Sequence, residues 1–446
     1  MTENSIIRDL GNDLVLRRAT VEDTEALVAF NIHVHTEREG QEEFRVGAWV
    51  RDLMTKPHPT FQVGDFTLVE DRKTRKIVSS LNLISQTWSY GGIRFGVGRP
   101  ELVGTLPEYR KRGLVRAQFE VVHQWSAERG ELLQAITGIP YYYRLFGYEM
   151  CLNLDGGRAG YLPHIPKLAE GKTEPYVFRP AGEADLAFIG ELYDLGCRRS
   201  LVSCVWDEAL WRYEIFGMGP DNCNRYDILV IESAQGERVG VLGVVPFRWG
   251  AMLAVKLYEL KPGLSWGAVT PSVVRHLKTL GEALPAYYSD DDSFSSFGFW
   301  LGEDHPVYHA VEGWLPRVRK PYAWYIRIPD LPGFIRHIAP VLEHRLAESY
   351  LAGHTGELRL TFYRDGLLLG FEGGRLVKAE PWQPSPQGHS GEAAFPELTF
   401  LQLLMGYRSL QEIRYAFPDC WTDKEEARAF LEALFPRQPS EVFPVF

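Results

Sequence analysis

Basic residues are the minority charge in this 446-residue sequence: 48 Lys and Arg face 58 Asp and Glu, a formal net charge of −10. That balance excludes a broad nucleic-acid-binding face, which would need clustered cations to displace counterions from phosphates. The acidic excess suits a cationic partner and equally suits plain solubility. Cysteine is scarce as well. Cys151, Cys197, Cys204, Cys223 and Cys420 are scattered, odd in number and never spaced as C-x-x-C, so they read as reduced, mostly structural thiols of a cytoplasmic protein. No run of about 18 apolar residues occurs, which leaves no helical membrane span to expect. The opening MTENSIIRDL lacks the basic and apolar stretches of a secretory leader. His33-Val34-His35 alternates like a metal-ligand pair but has no partner at a recognisable spacing. Asp290-Asp291-Asp292 lacks the Gly and distal Glu of an EF-hand and reads as a solvated loop. No metal is expected.

What the chain does have is an ordinary globular composition, 45% hydrophobic and 24% charged, at a length that calls for two or three domains. The first 155 residues alternate strand and helix patterns. Leu14–Leu16, Phe66–Glu70, Ile77–Thr87, Ile93–Val97, Glu101–Leu106 and Leu132–Thr137 read as strands, Val21–Phe30 as a helix. A second helix opens at Gly113, carries Val115, Phe119 and Val122 on one face, and stops at Gly130. This is a mixed α/β sheet with packed helices. Arg17, Ala19 and Asp23 precede the first helix, and Arg179, Ala181 and Asp185 recur at the same spacing before another apolar helix. Three matched positions point to a second copy of one fold, entered through a loop-like stretch from Gly156 to Pro175. A third, α+β unit is expected from about Tyr325. It has a helix over Pro332–Leu351, strands around the Asp365-Gly366 turn, a linker over Pro381–Gly391, and a last helix capped by Thr422 and Glu425. The expected boundaries are 1–155, 156–324 and 325–446.

Chemistry concentrates in ELVGTLPEYRKRGLVRAQF, Glu101 to Phe119. An apolar strand runs into Pro107, a turn carries Arg110, Lys111 and Arg112, and Gly113 starts a helix. Unpaired amide groups at a helix N-terminus favour an anion, and Gly113 lets backbone approach a pyrophosphate closely. Arg110, Lys111, Arg112 and Arg116 add charge at the same mouth. A solvated basic turn before an ordinary helix would look the same in isolation. The second motif, TGIPYYYRLFGYEM, places Tyr143 on a helical turn. A phenol with a pKa of about 10 is a proton donor at neutral pH. Tyr141 and Tyr142 read as packing groups. Trp88 and Tyr90 are candidates for lining an acceptor pocket.

Together these segments resemble the GNAT acetyltransferase superfamily, and the whole chain resembles its Eis-like branch. Arg110-Lys111-Arg112-Gly113-Leu114-Val115 matches the [QR]-x-x-G-x-[GA] turn except at Val115, which is bulkier than the usual residue; YRLFGY resembles the Y-x-x-x-G-[FY] element. The resemblance implies tandem GNAT-like mixed sheets flanked by helices, the second without cofactor, followed by a sterol-carrier-protein-like α+β domain. It implies acetyl-CoA as co-substrate, a small-molecule or peptide amine such as an aminoglycoside, polyamine or lysine-like amine as acceptor, and a homo-oligomer, a hexamer among the options. Val103, Gly104 and Thr105 would meet the pantetheine arm, and Lys111 to Arg116 the pyrophosphate. Tyr143 would be the general acid and the terminal carboxylate of Phe446 the base, although a frayed or merely packed terminus is an equal alternative. The second copy keeps only an echo of the tyrosine element at Tyr308 and Gly313. The rival reading is a degenerate GNAT shell that binds a lipid or other small molecule.

Overall fold

The computed structural model describes residues 6–38, 40–288, 293–385 and 390–446. The acidic triplet Asp290-Asp291-Asp292 lies outside the described residues. Three sheets organise the described residues. In the first, Ile6–Gly11, Leu14–Arg18, Phe66–Asp71, Lys76–Tyr90, Ile93–Thr105 and Leu133–Ile136 follow in chain order. All neighbouring pairs are antiparallel except the last, which is parallel. Helices Thr24–His35 and Phe44–Thr55 bury one face through Leu27, Phe30, Trp49 and Leu53. Helix Leu114–Glu128 covers the other through Leu114, Phe119 and Val122.

The second sheet repeats this plan. Tyr176–Pro180, Asp227–Ser233, Arg238–Val244, Met252–Leu260 and Ser296–Phe299 are neighbours in chain order, again with one parallel step at the end. The duplication reaches individual atoms. Arg17 binds Asp23 (Nη2–Oδ1 2.7 Å) and Glu70 (Nε–Oε2 2.9 Å), while Arg179 binds Asp185 (Nη2–Oδ1 2.9 Å) and Glu232 (Nε–Oε1 2.7 Å). The partners are 6 and 53 residues away in both copies. In each, the alanine two residues on donates its N–H to the neighbouring strand, Ala19 to Phe66 and Ala181 to Ile228. Arg179 holds the Asp185 carboxyl down at about 2.

The two sheets also exchange strands. Tyr322–Arg327, which follows the second unit in sequence, lies in the first sheet between Leu133–Ile136 and Glu149–Leu154. Gly157–Tyr161, which follows the first unit directly, sits beside Ser296–Phe299 in the second sheet. The expected boundary at residue 324 therefore runs through a strand of the first sheet, and the loop expected from Gly156 to Pro175 begins with a strand. Long-range pairing, invisible to local pattern, decides both.

The third sheet, ordered Arg375–Trp382, Gly366–Glu372, Gly356–Thr361, Ala393–Ala394 and Trp421–Thr422, is covered by short helices in an α+β arrangement. The single helix expected over Pro332–Leu351 is two, Leu331–His337 and Ala339–Ala347, broken at Ile338. Pro340 has no N–H to return to the preceding turn. The expected Thr422 cap is absent: Thr422 pairs with Ala393 in the sheet and Lys424 takes the N-cap position. All five cysteines are free thiols.

Candidate functional site

The strand expected as two runs, Ile93–Val97 and Glu101–Leu106, is continuous from Ile93 to Thr105 and bulged. Its partner pairs Ser80 with Gly104 but Asn82 with Glu101, so one extra residue is inserted, and Leu102 takes a φ of 54° to absorb it. On its other edge this strand pairs with Leu133–Ile136 only at Val97 and Gly98. Beyond Gly98 the two parallel strands diverge, and a cleft of about 630 Å³ opens there.

Val103, Gly104, Thr105, Arg110, Lys111, Arg112, Gly113, Leu114, Val115 and Arg116 all line this cleft, together with Val34, Ile139, Tyr142, Leu145 and Phe146. Lys111 (φ 63°) and Gly113 (φ 77°) both take left-handed conformations, which wrap the turn around the start of helix Leu114–Glu128. No side chain caps that helix, so its first amides remain donors to whatever enters. Arg112 stacks its guanidinium over Tyr109 (4.8 Å) and Arg116 over Phe146 (5.2 Å). Among the described residues, none of Arg110, Lys111, Arg112 and Arg116 has a carboxylate within 4.0 Å. Four cations without a carboxylate partner thus stand at one helix end in a chain of net charge −10, an arrangement whose chemistry favours an anion.

Tyr143 lies on the turn Tyr142–Phe146, 2% exposed, next in sequence to Tyr142, which lines the cleft. Its ring packs against Phe119 (6.1 Å) and Tyr325 (5.5 Å), the latter from the exchanged strand. Burial, then the field of Glu101, pushes its hydroxyl above the usual phenol range, so it remains protonated at neutral pH. Tyr141, expected to pack, is instead 67% exposed, because its backbone N–H is drawn to Tyr325 Oη at 2.7 Å.

Phe446 does not line the cleft. Its ring meets Trp49 (5.9 Å) and the Arg99 guanidinium (4.3 Å) on the sheet face covered by the first two helices. Its carbonyl oxygen accepts from His58 Nε2 at 3.0 Å. The Thr60 N–H donates to His58 Nδ1, which fixes the proton on Nε2. Burial holds His58 at about 4, so this ring is neutral. The preceding residues are tied down as well: Val445 O accepts from Gln86 and Arg99, and Phe443 O from Trp206 Nε1. Trp88 and Tyr90 do not line this cleft. Both are fully buried, Trp88 donating to Gln86 and Tyr90 to the Leu404 carbonyl. The echo of the tyrosine element in the second copy is structural, with Tyr308 Oη engaged by the backbone of Phe299, Leu301 and Gly302.

Sequence reasoning missed Glu43 and Glu101. Glu43 accepts hydrogen bonds from Tyr287 (2.8 Å) and Tyr288 (2.5 Å) of the second unit. Glu101 sits one residue before the bulge, against Arg99 at 2.5 Å. The signal for Glu101 was present: Arg99 and Glu101, of opposite charge, flank Pro100 inside the strand IRFGVGRPELVGT.

Residues 15–151 match the family described as acetyltransferase (GNAT) domain. The matched segment contains all ten cleft residues of the basic turn and strand edge, and Tyr143. No curated protein sequence matches the chain. Solved structures match along its length. A conserved protein of Enterococcus faecalis V583 shares 13% identity at a TM-score of 0.65, covering 97% of this chain and 100% of that one. A GCN5-related N-acetyltransferase from Kribbella flavida shares 18% at 0.64, over 97% and 98%. Eis1 from Mycobacterium abscessus shares 15% at 0.59, over 97% and 100%. At these identities the likeness is one of fold: tandem GNAT-like sheets with helices on both faces. None of the described helices is long and apolar enough to cross a membrane.

Proposed function

We propose that this chain is an acetyl-CoA-dependent N-acetyltransferase that passes the acetyl group directly to an amine. The observation that carries the reading is the helix start without a side-chain cap, ringed by four cations that have no carboxylate partner among the described residues, at the mouth of a splayed parallel strand pair. A coenzyme A diphosphate needs such a donor set, and a methyl group built on Gly113 would meet nothing within 4 Å, so the cradle is open. Arg110, Lys111, Arg112 and Arg116 hold the phosphates, and Gly113 to Val115 present amides to them. The pantetheine arm follows Val103 to Thr105 like an added strand, and Val115, larger than the usual residue, narrows the floor there.

In the reaction, an uncharged amine attacks the thioester carbonyl. Backbone N–H groups at the strand edge stabilise the oxyanion, and collapse expels the coenzyme A thiolate. The Tyr143 hydroxyl donates toward that sulfur as charge develops. Phe446, expected from the sequence as the base, has its carbonyl oxygen hydrogen-bonded by His58 Nε2. The acceptor class is an amine of the aminoglycoside, polyamine or lysine type. A cytoplasmic homo-oligomer fits the same reading, and sedimentation velocity checks its assembly state.

A thiol-release assay with acetyl-CoA and a panel of amines tests the proposal. Release that requires an amine is expected; release from no amine in the panel contradicts it. A second reading, a carrier of an apolar ligand, draws on one observation. The third unit, taken here as sterol-carrier-protein-like, has a groove of about 580 Å³ whose apolar walls include Phe362, Leu367, Phe400 and Leu401. Lipid co-purifying with a protein that shows no affinity for acetyl-CoA would favour it.

A further inference from the structure

The two copies of the fold treat their clefts differently. In the second, strands Met252–Leu260 and Ser296–Phe299 pair in parallel as far as Val255 and Phe299 and then part, as Ile93–Thr105 and Leu133–Ile136 do beyond Gly98. Here the gap is filled. It is reduced to a cavity of about 60 Å³, whose lining includes Lys256, Glu259, Leu301 and His305 from the second unit and Glu441 and Phe443 from the last segment of the chain. The field of Glu441 acts on Tyr308, the echo of Tyr143, as that of Glu101 acts on Tyr143.

This last segment is tied in along its length. Pro439 O accepts from the Leu201 N–H at 2.9 Å, Ser440 Oγ from the Val202 N–H at 3.1 Å, and the Glu441 N–H donates to Ser200 Oγ at 3.1 Å. The Phe443 ring lies among Tyr193, Trp206 and Tyr226. Val445 O then accepts from Arg99 at 2.6 Å. One run of residues thus joins the second cleft to the strand that walls the first.

Glu441 is the odd charge in this arrangement. Its Oε2 is buried without a partner, against Gly302, where a built Cβ would stand 2.5 Å from it. The cation that acts on it, Lys256, is ion-paired with Asp155 and lies over the Trp300 ring at 5.1 Å. Arg319 also turns to Asp155, at 3.8 Å. On the remaining walls, Arg199 is paired with Glu259, burial keeps His305 uncharged at neutral pH, and Asp304 is paired with His309. Tyr193 and Tyr308 donate to the carbonyls of Cys204 and Phe299. An ionised Glu441 would therefore be buried without a counterion, and burial together with the field of Asp155 raises its pKa well above the ordinary 4.5.

We infer that residues 440–446 form a strap that stays docked in the second cleft while Glu441 is neutral and is released when Glu441 ionises. The released carboxyl titrates at its ordinary value and the docked one above it. Docking is therefore complete at low pH and weakens by up to about tenfold per pH unit between the two values. Release withdraws Val445 O from Arg99 and uncovers Cys204, whose thiol lies fully buried beside the Val445 backbone.

Labelling of the full chain with N-ethylmaleimide, read at each cysteine by mass spectrometry, measures this opening. Each rate is divided by that of the same cysteine in the denatured chain at the same pH, which removes the titration of the thiol itself. From about pH 6 to about pH 8 the corrected Cys204 rate should rise at least about tenfold in the wild type and less than about twofold in Glu441→Gln. Cys151, buried in the strand Glu149–Leu154, should stay unlabelled in both. Should Glu441→Gln fail to fold, Glu441→Met, also neutral and of similar length, is expected to give the same flat profile. A wild-type rate that does not move with pH, a rise that survives in the neutral variant, or Cys151 labelled in step with Cys204 overturns the inference.

Discussion

A hydroxyl buried as deeply as that of Tyr143 keeps its proton well past neutrality, and its usefulness is that of a fixed donor. Tyr143→Phe retains the ring contacts with Phe119 and Tyr325 and removes only the donor. It should lower kcat by about 10²-fold with little change in acetyl-CoA affinity, measured by turnover and calorimetry side by side. Because its pKa is raised from the ordinary value, the acid form persists as pH rises. In the wild type, kcat should therefore show no basic limb below about pH 10. A limb falling near pH 8 would assign the acid to another group.

At the level of elements, the basic turn and the bulge shape the site by different means. The turn is local. Gly113 needs φ 77°, and because a Cβ there meets no neighbour, Gly113→Ala costs backbone strain alone, about 1 kcal/mol. The first amides of the helix should shift, and acetyl-CoA should bind about fivefold to tenfold more weakly in a fluorescence or calorimetric titration. Such a feature can be read in sequence, because Arg110 to Gly113 carry their own conformational instructions between a strand and a helix. The bulge at Leu102 cannot be read that way. It exists because Ser80 and Asn82 of another strand pair with Gly104 and Glu101, and neither stretch alone encodes the offset. Ile338 is a middle case: Pro340 marks the break in the helix, but apolar periodicity runs across it.

On the scale of the whole molecule, the duplication was legible from three residues, Arg17, Ala19 and Asp23, because an Arg–Asp pair at fixed spacing is a local device. The strand exchange was not, since Tyr322–Arg327 is apolar enough to belong to any sheet. The exchange predicts that residues 1–155 alone do not form a cooperative fold, because the edges of Leu133–Ile136 and Glu149–Leu154 lose the strand between them. Circular dichroism melting of that fragment checks this. Two buried groups set opposing pH slopes for the full chain. His58 has a folded pKa of about 4 against 6.5, so the unfolded chain binds the proton first and stability falls as pH drops through that window. Glu214, fully buried, is raised to about 8 from 4.5, so its protonated folded form loses stability as pH rises from 4.5 to 8. Glu214→Gln keeps the acceptor for the Tyr226 N–H and should raise Tm at pH 8 relative to wild type, with the difference vanishing near pH 4.5.

The most direct measurement is a calorimetric titration of the full chain with acetyl-CoA, repeated at rising salt and with an Arg112→Ala, Arg116→Ala variant. Single-site binding that weakens with salt and weakens further in the variant is the predicted result. No heat of binding in the wild type, or an affinity indifferent to both changes, would contradict the account.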